Sequence, residues 1–212
     1  MTYSKYNKKI AIIDLGLGNI FSLYESLKIN FSDVTVIRKL KENKQFNVLI
    51  IPGVGTFKQA MKRLKKNFPS LLKKKDQKNN VLIIGVCLGM QILYQYGYEE
   101  GLSKGLGYLD GNIIKLKSKK LIIPNIGWRN IKIVKNKNYN FLKKYDQKSF
   151  YFCHSYYAKN YSKNKNLGYL KYDNNYVPCL VINENIIGIQ FHPEKSRDQG
   201  INLLKDLILN HE

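Results

Sequence analysis

The sequence has few cysteines, and their spacing argues against two common roles. Only Cys87, Cys153 and Cys179 occur in 212 residues, and no two of them form a Cys-x-x-Cys pair. A disulfide framework and a zinc site are both disfavoured, because each needs more cysteines at closer spacing. This cysteine content suits a reducing cytosol, so we expect a cytoplasmic protein.

Long hydrophobic runs are also missing. The apolar run at residues 10–13 ends at Asp14 and is too short for the hydrophobic region of a secretory signal. No stretch approaches the roughly 20 apolar residues that a membrane-spanning helix needs. We therefore expect neither secretion nor a membrane partner.

Acidic residues are scarce, since 15 Asp and Glu stand against 36 Lys and Arg and give a net charge of +21. Such an excess can indicate nucleic-acid binding. The lysines are scattered with asparagines along the whole chain, without a helix-turn-helix, an RNA-binding aromatic motif or a Cys/His finger. A lysine- and asparagine-rich composition on solvated faces is the favoured explanation. An acidic partner surface is the second explanation, and nucleic acid comes third.

What the sequence does contain is enough apolar material for one domain with a full core, and we expect a single domain over residues 1–212. Short apolar runs alternate with helical patterns up to about residue 93. The runs lie at residues 9–15, 34–37, 48–52 and 81–84, and helices are predicted from Ile20, with Leu23 and Leu27 on the same apolar face, and from Thr56. This alternation predicts an α/β fold with a mostly parallel central sheet flanked by helices.

After Gly111 the pattern becomes β-rich. Short alternating runs follow one another (residues 113–116, 121–123, 131–134, 150–153, 167–172, 177–182 and 186–190). They predict a largely β second half that continues the first sheet. Residues 135–148 are polar and predict a loop with a short helix, and residues 201–209 predict a closing amphipathic helix.

Cys87 lies at a predicted strand-to-helix turn, between the apolar run at residues 81–84 and a helical pattern that begins at Leu88. Gly85 and Gly89 flank it, which gives the nucleophile-elbow pattern with Cys in place of Ser. The glycines fit a turn so sharp that a Cβ beside it would meet neighbouring strands. A thiol at a helix N-terminus is also favoured as the thiolate. A buried structural cysteine is the alternative, but a cysteine between two glycines fills a core poorly, so we predict a nucleophile.

A nucleophilic thiol needs a base, usually His, that a third group orients. His211 is discounted because it stands at the chain end, and His154, with no carboxylate nearby in sequence, is interpreted as a packing or interface residue. His192 precedes a proline, which favours an extended backbone, so the side chain of Glu194 can point to the same side. The pattern predicts a Cys87-His192-Glu194 triad, against the alternative of a surface His and Glu around a proline.

A glycine-rich loop, Gly53-Val54-Gly55, follows the predicted strand at residues 48–52. At the carboxyl end of a parallel strand, such a loop can turn backbone N–H groups toward a developing oxyanion. A plain tight turn is an equally good interpretation of the loop by itself.

Residues 85–91 and 191–196 together resemble the class I (triad) glutamine amidotransferases. Within that group the chain is similar to the glutaminase subunit of imidazole glycerol phosphate synthase. Further matching segments extend the resemblance over nearly the whole chain (residues 14–19, 52–57, 105–111, 124–128 and 151–156).

The resemblance implies that Cys87 attacks the side-chain amide of glutamine, that His192 relays the proton and that Glu194 orients His192. It implies oxyanion donors at the Leu88 N–H and in the loop at residues 53–55. The glutamine pocket would be lined by Gln91, Gly55, Ser155 and Tyr156.

The resemblance also implies a partner. The ammonia would pass to a separate (β/α)8-barrel cyclase subunit in a heterodimer, which forms imidazole glycerol phosphate and AICAR in histidine biosynthesis. No metal or organic cofactor is implied. The positions that would face this partner are Trp128, Arg129, Tyr151 and Lys195.

Three positions depart from the family pattern: Leu15 replaces a usual Tyr, Asn125 a usual His, and Arg129 a usual Asn. All three lie near the implied partner side and none lies in the triad, so they bear on the ammonia acceptor. Related subunits supply ammonia for amidating sugars of surface polysaccharides, which is the alternative function. An alternative of another class is a non-catalytic partner-binding subunit, against which the complete triad argues.

Overall fold

A central eight-stranded sheet organises the computed structural model, which describes residues 5–39, 45–73, 81–159 and 166–211. Five of its strands are parallel, in the order β2-β1-β3-β4-β14. They are β1 (Ile10–Ile13), β2 (Val34–Ile37), β3 (Val48–Ile51), β4 (Leu82–Val86) and β14 (Ile186–Ile189). All but β2 are buried along their whole length, which is why they are continuous apolar runs and do not alternate.

The sheet continues beyond β14 through antiparallel neighbours, which come from the β-rich second half. They are β13 (Asn175–Asn183), β12 (Asn166–Tyr172) and β9 (Lys132–Ile133). The predicted α/β class, with a mostly parallel central sheet and a β-rich C-terminal half, is confirmed.

The prediction that the whole second half continues the first sheet is wrong for several strands. A separate four-stranded sheet has the order β11-β7-β5-β6, and β8 pairs with β10 alone. These strands are β5 (Tyr94–Gly97), β6 (Ser103–Lys104), β7 (Leu109–Lys115), β8 (Asn125–Asn130), β10 (Ser149–His154) and β11 (Tyr156–Lys159). The four-stranded sheet forms a second layer because its apolar residues, such as Tyr94 and Ile113, pack onto one face of the central sheet.

The strand expected at residues 121–123 is also absent from the described structure. Ile122 is 84% exposed and Leu121 is 43% exposed, and of the three residues only Ile123 packs against the core. The Ser118 hydroxyl instead accepts hydrogen bonds from the N–H groups of Lys120 and Leu121, which makes a local turn.

Helices cover both faces of the central sheet. Among residues 5–39, 45–73, 81–159 and 166–211, four helices are α-helical: α1 (Phe21–Asn30), α2 (Phe57–Asn67), α3 (Leu88–Ile92) and α4 (Arg197–Leu209). The same residues also form short 3₁₀ helices at Pro69–Lys73, Lys137–Tyr145 and Pro193–Lys195. Within the described segments, none of the helices has the length and apolar character needed to cross a bilayer.

Each strand serves two cores because its side chains alternate between faces. Ile10 and Ile12 pack with α1 and α4, whereas Ala11 and Ile13 pack with α2 and α3. The predicted helices after residue 20, after residue 56 and at the C-terminus are confirmed. The helix after Cys87 is confirmed but has only five residues.

The glycines beside Cys87 are required by close backbone approach. A Cβ on Gly89 would lie 1.6 Å from the carbonyl oxygen of Ile51 in β3. A Cβ on Gly85 would lie 2.5 Å from the carbonyl oxygen of Gly89. The expected clash with a neighbouring strand is therefore confirmed at Gly89, whereas at Gly85 the obstacle is the following helix.

Gly89→Ala is expected to destabilise the protein severely, because β3 would have to move away from the new methyl group. We expect the free energy of unfolding to fall by at least about 3 kcal/mol, at the high end for one substitution. Chemical denaturation followed by circular dichroism measures this loss.

Gly53→Ala is the matched control for Gly89→Ala. A Cβ on Gly53 would meet only Leu88 side-chain atoms, at 3.5 Å or more. We expect this change to cost less than about 1 kcal/mol. Equal losses in the two variants would contradict the steric explanation.

Candidate active site

Three loops meet at one edge of the central sheet because they follow neighbouring parallel strands. Ile51 at the end of β3 is paired with Gly85 of β4, and Ile189 at the end of β14 is paired with Val86. The loop at residues 53–55, the Cys87 turn and the His192 loop therefore lie side by side. Ligands bind at this carboxyl edge in open parallel sheets.

Cys87 adopts a backbone conformation that non-glycine residues rarely use, with φ 54° and ψ −109°. Its N–H donates to the Ile189 carbonyl at 2.7 Å, which ties the strained turn to β14. The residue is 6% exposed. Because α3 is only five residues long, its dipole contributes less to the thiolate than the sequence suggested. The first N–H groups of α3, including that of Leu88, have no partner within the helix.

His192 and Glu194 are joined as predicted, with 2.8 Å between Nδ1 and Oε1. His192 has the expected extended backbone, but Glu194 lies in the 3₁₀ turn Pro193–Lys195 and not in an extended segment. Burial alone would lower the pKa of His192. The negative charge of Cys87, its hydrogen bond and the Glu194 carboxylate outweigh burial and raise that pKa to about 10. The imidazole is therefore positively charged at neutral pH and faces the Cys87 sulfur.

Ser196, which is fully buried, fixes the position of the His192 loop. Its hydroxyl donates to the His192 carbonyl at 2.6 Å and accepts from the Tyr151 N–H at 3.0 Å. The His192 N–H donates in turn to the Tyr151 carbonyl at 2.9 Å. The N–H group and the carbonyl group of Tyr151 in β10 thus both hold the His192 loop in place.

The predicted pocket residues lie around this edge. Gln91, in α3, donates from Nε2 to the Tyr156 carbonyl at 2.9 Å. Ser155 lies in the bend between β10 and β11, where its carbonyl accepts from the Leu116 N–H. Val54 is 46% exposed, and the space beside Gly18 is filled by its Cγ2.

Three of the four predicted partner positions, Trp128, Tyr151 and Lys195, share one surface with Arg197. We call these four residues the aromatic face. The rings of Trp128 and Tyr151 meet edge to face with centroids 6.1 Å apart. The Lys195 ammonium lies 5.7 Å from the Tyr151 ring centre, and the Arg197 guanidinium lies 5.2 Å from the Trp128 ring centre. Arg129, the fourth predicted position, is paired with the core residue Phe150 and therefore lies on the opposite side of β8 from Trp128, with its guanidinium 5.8 Å from the ring centre of Tyr172.

His154 is a buried packing residue, as the sequence indicated. Its Nδ1 lies 2.9 Å from the Tyr156 carbonyl, which can only accept, so Nδ1 carries the proton. Its Nε2 then accepts from the Asn125 amide at 3.0 Å. Burial lowers the pKa of His154 to about 4, against the Tyr156 hydrogen bond and with help from the charge of His192. His154 therefore stays neutral.

Sequence reasoning missed three side chains of this region. Gln190 is fully buried beside Cys87, and Arg197 covers Trp128. Glu99 accepts from the Phe57 N–H at 2.8 Å, close to the loop at residues 53–55, and burial raises its pKa. A glutamine inside an apolar strand and a Glu-Glu pair in a basic chain were the available signals.

The chain is similar to known proteins along almost its whole length. The family described as "Glutamine amidotransferase class-I" matches residues 11–210. The imidazole glycerol phosphate synthase subunit HisH of Lactococcus lactis is 37% identical over 200 residues, which are 93% of this chain and 96% of that protein. The protein of the same name from Oceanobacillus iheyensis is 39% identical over 198 residues, with 92% and 96% covered.

Solved structures support the same fold at low sequence identity. A crystal structure of a glutamine amidotransferase superposes with a TM-score of 0.72 at 16% identity, covering 94% of this chain and 97% of that one. That likeness concerns the fold alone, whereas the sequence matches carry the family assignment. The chain belongs to the class-I glutamine amidotransferases, within the family of the HisH subunits of imidazole glycerol phosphate synthase.

Proposed function

We propose that this chain hydrolyses glutamine to glutamate and ammonia with Cys87, His192 and Glu194. The observation that carries the proposal is the position of the three side chains on two neighbouring strand ends. The His192 imidazole lies between a thiol and a carboxylate, and its raised pKa supports a thiolate–imidazolium pair at neutral pH.

The reaction begins when the thiolate attacks the side-chain amide carbon of glutamine. A C–S bond forms and the carbonyl electron pair moves onto oxygen. The C–N bond then breaks as the His192 imidazolium gives its proton to the leaving ammonia. Water, deprotonated by the now neutral His192, attacks the thioester, and glutamate and the free thiolate are released. Glu194 keeps the proton of His192 on Nδ1 when the ring is neutral.

The oxyanion needs N–H donors on the side opposite His192. We assign the Leu88 N–H and the loop at residues 53–55 to this role, because they follow the paired strands β4 and β3 and a Cβ on Gly53 would lie 3.5 Å from the Leu88 side chain. Glycines on both sides of Val54 let its peptide rotate at little steric cost. Rotation of this peptide would replace an N–H group that points at the oxyanion by a carbonyl group. We call this the loop switch, because it would convert an active site into an inactive one.

Substrate binding is assigned to Gln91, Gly55, Ser155 and Tyr156. Gln91 uses Nε2 on protein partners, so its Oε1 is the end left for glutamine. Glu99 adds a half-buried carboxylate near the loop, which fits the α-ammonium group of an amino acid.

The ammonia has to reach an acceptor without dilution in water. The relatives are named as subunits of imidazole glycerol phosphate synthase, which supports transfer of the ammonia within that enzyme in histidine biosynthesis. We propose that the acceptor subunit is a (β/α)8-barrel cyclase docked on the aromatic face. The three free cysteines fit a reducing compartment, so we propose that the complex works in the cytoplasm.

Arg129, which follows Trp128 in β8, favours one second candidate. A large cation stands here in place of the family's usual Asn, which fits a paralogue that supplies ammonia for sugar amidation. Co-purification of the partner from the source cell, followed by assay with each acceptor class, separates the two functions.

Cys87 is expected to be the residue that a glutamine-like diazo-ketone labels, because only this thiol faces a charged imidazole. Mass spectrometry locates the adduct. Cys153 is the internal control, since it is exposed, whereas burial raises the pKa of Cys179 and makes it unreactive. Labelling of Cys153 with Cys87 untouched would contradict the assignment.

Glu194→Gln is expected to lower glutamine turnover by at least about 100-fold, yet less than His192→Ala, because the base survives. In Glu194→Gln, the high-pH limb of the rate–pH profile should move to lower pH. The reason is that the negative charge of Glu194 raises the pKa of His192, and the variant lacks that charge. Rate–pH profiles of both proteins measure this shift, and glutamine itself titrates identically in the two. Exposed Glu184→Gln is the matched control, and an unmoved limb in Glu194→Gln would argue against the orienting role.

Glutamine turnover by the chain alone is expected to be about 10²–10³ times slower than with the acceptor-loaded partner, the usual effect of one oxyanion donor. Association should weaken with salt, since Lys195 and Arg197 present positive charge. Lys195→Ala should weaken binding in titration calorimetry, whereas exposed Lys66→Ala, in α2, should not. Full glutamine turnover by the chain without any partner would rule out the loop switch at Val54.

A further inference from the structure

Gln190 is a fully buried amide whose two ends contact catalytic-site residues, although the mechanism above does not use it. Its Oε1 lies 3.2 Å from Gln91 Nε2, and its Nε2 lies 3.9 Å from Cys87 Sγ. Gln190 directly follows β14, whose residues are all isoleucine or glycine, and stands two residues before His192.

A backbone carbonyl fixes which end of Gln190 faces the sulfur. The Tyr156 carbonyl can only accept, so the Gln91 group 2.9 Å away must be the NH₂ group. The same NH₂ group lies against Gln190, whose facing atom must then be the acceptor Oε1. The remaining end of Gln190 is an NH₂ donor, and it faces Cys87. Rotating either amide would place two donors or two acceptors against each other.

Besides His192, two polar groups lie beside the sulfur, and they suit opposite protonation states of Cys87. The Cys153 carbonyl, 3.8 Å from Sγ, can accept a hydrogen bond from the thiol but repels a thiolate. The Gln190 N–H group can donate to the thiolate, which is the better acceptor. A separation of 3.9 Å is long for nitrogen and oxygen but is within reach of the larger sulfur atom.

We propose that Gln190 is a further catalytic residue, which donates a hydrogen bond from Nε2 to the Cys87 thiolate and holds the sulfur in its attacking position. This inference deepens the proposed glutaminase function and depends on Cys87 as its nucleophile. Gln91 then has two roles, because it also sets the orientation of the Gln190 amide. The chain of contacts Tyr156 carbonyl, Gln91, Gln190 and Cys87 keeps the donor aimed when no substrate is bound.

Gln190→Met keeps the volume of the side chain and removes the donor. The rate of Cys87 alkylation by iodoacetamide is measured against pH on the full chain, with the modified residue identified by mass spectrometry. We expect the midpoint of the alkylation profile to rise by about one pH unit, and the rate at pH values below both midpoints to fall about tenfold. His192, Glu194 and His154, the titratable groups around the sulfur, are unchanged in the variant.

Gln95→Met is the matched control, because Gln95 is a partly buried glutamine whose amide oxygen accepts from the Gly111 N–H. Its alkylation midpoint should equal that of the unaltered chain. Gln190→Asn, which keeps the amide but shortens its reach, should shift the midpoint in the same direction and serves if Gln190→Met does not fold. A wild-type midpoint in a folded Gln190 variant would overturn the proposal. Failure of Cys87 to react in the unaltered chain would instead overturn the proposed function.

Discussion

The contact on which the rest of the site depends is the close approach of the Cys87 turn to strand β3. Gly89 sits so near the Ile51 carbonyl that any side chain there would force the two apart. This contact lets Cys87 hold a positive φ between a buried strand and a short helix. Backbone strain of this kind costs on the order of 1–3 kcal/mol and persists only when the surroundings over-determine it. Here the hydrogen bond to Ile189 and two glycine contacts do so.

Electrostatics then selects the reactive form of the site. The nearby negative charges overcome the burial of His192 and keep it protonated, while His154, equally enclosed, loses its charge. The difference comes from their partners, since His192 lies against the Glu194 carboxylate and the Cys87 sulfur, whereas His154 faces a carbonyl and an amide. Two histidines of one small region are thereby separated into one acid–base group and one structural group.

The sequence predicted the parts of this protein that depend on local pattern. The parallel strands, the helices after residues 20 and 56 and the grouping of Cys87, His192 and Glu194 all follow from periodicity, glycine spacing and the proline after His192. Layering of the β-rich half could not be predicted, because nothing local says whether a strand such as β7 joins the central sheet or a second one. The roles of Gln190 and Arg197 were hidden for the same reason, since each depends on a contact across more than 65 residues.

The strand β10 has a consequence for how such subunits diverge. Its inward residues, Phe150 and Phe152, belong to the core, while the backbone of Tyr151 carries the His192 loop through the buried Ser196 hydroxyl. The side chain of Tyr151 itself points outward to the aromatic face. Substitutions of the outward side chains can therefore change which protein binds this face, while the backbone hydrogen bonds that hold the imidazole in place stay the same.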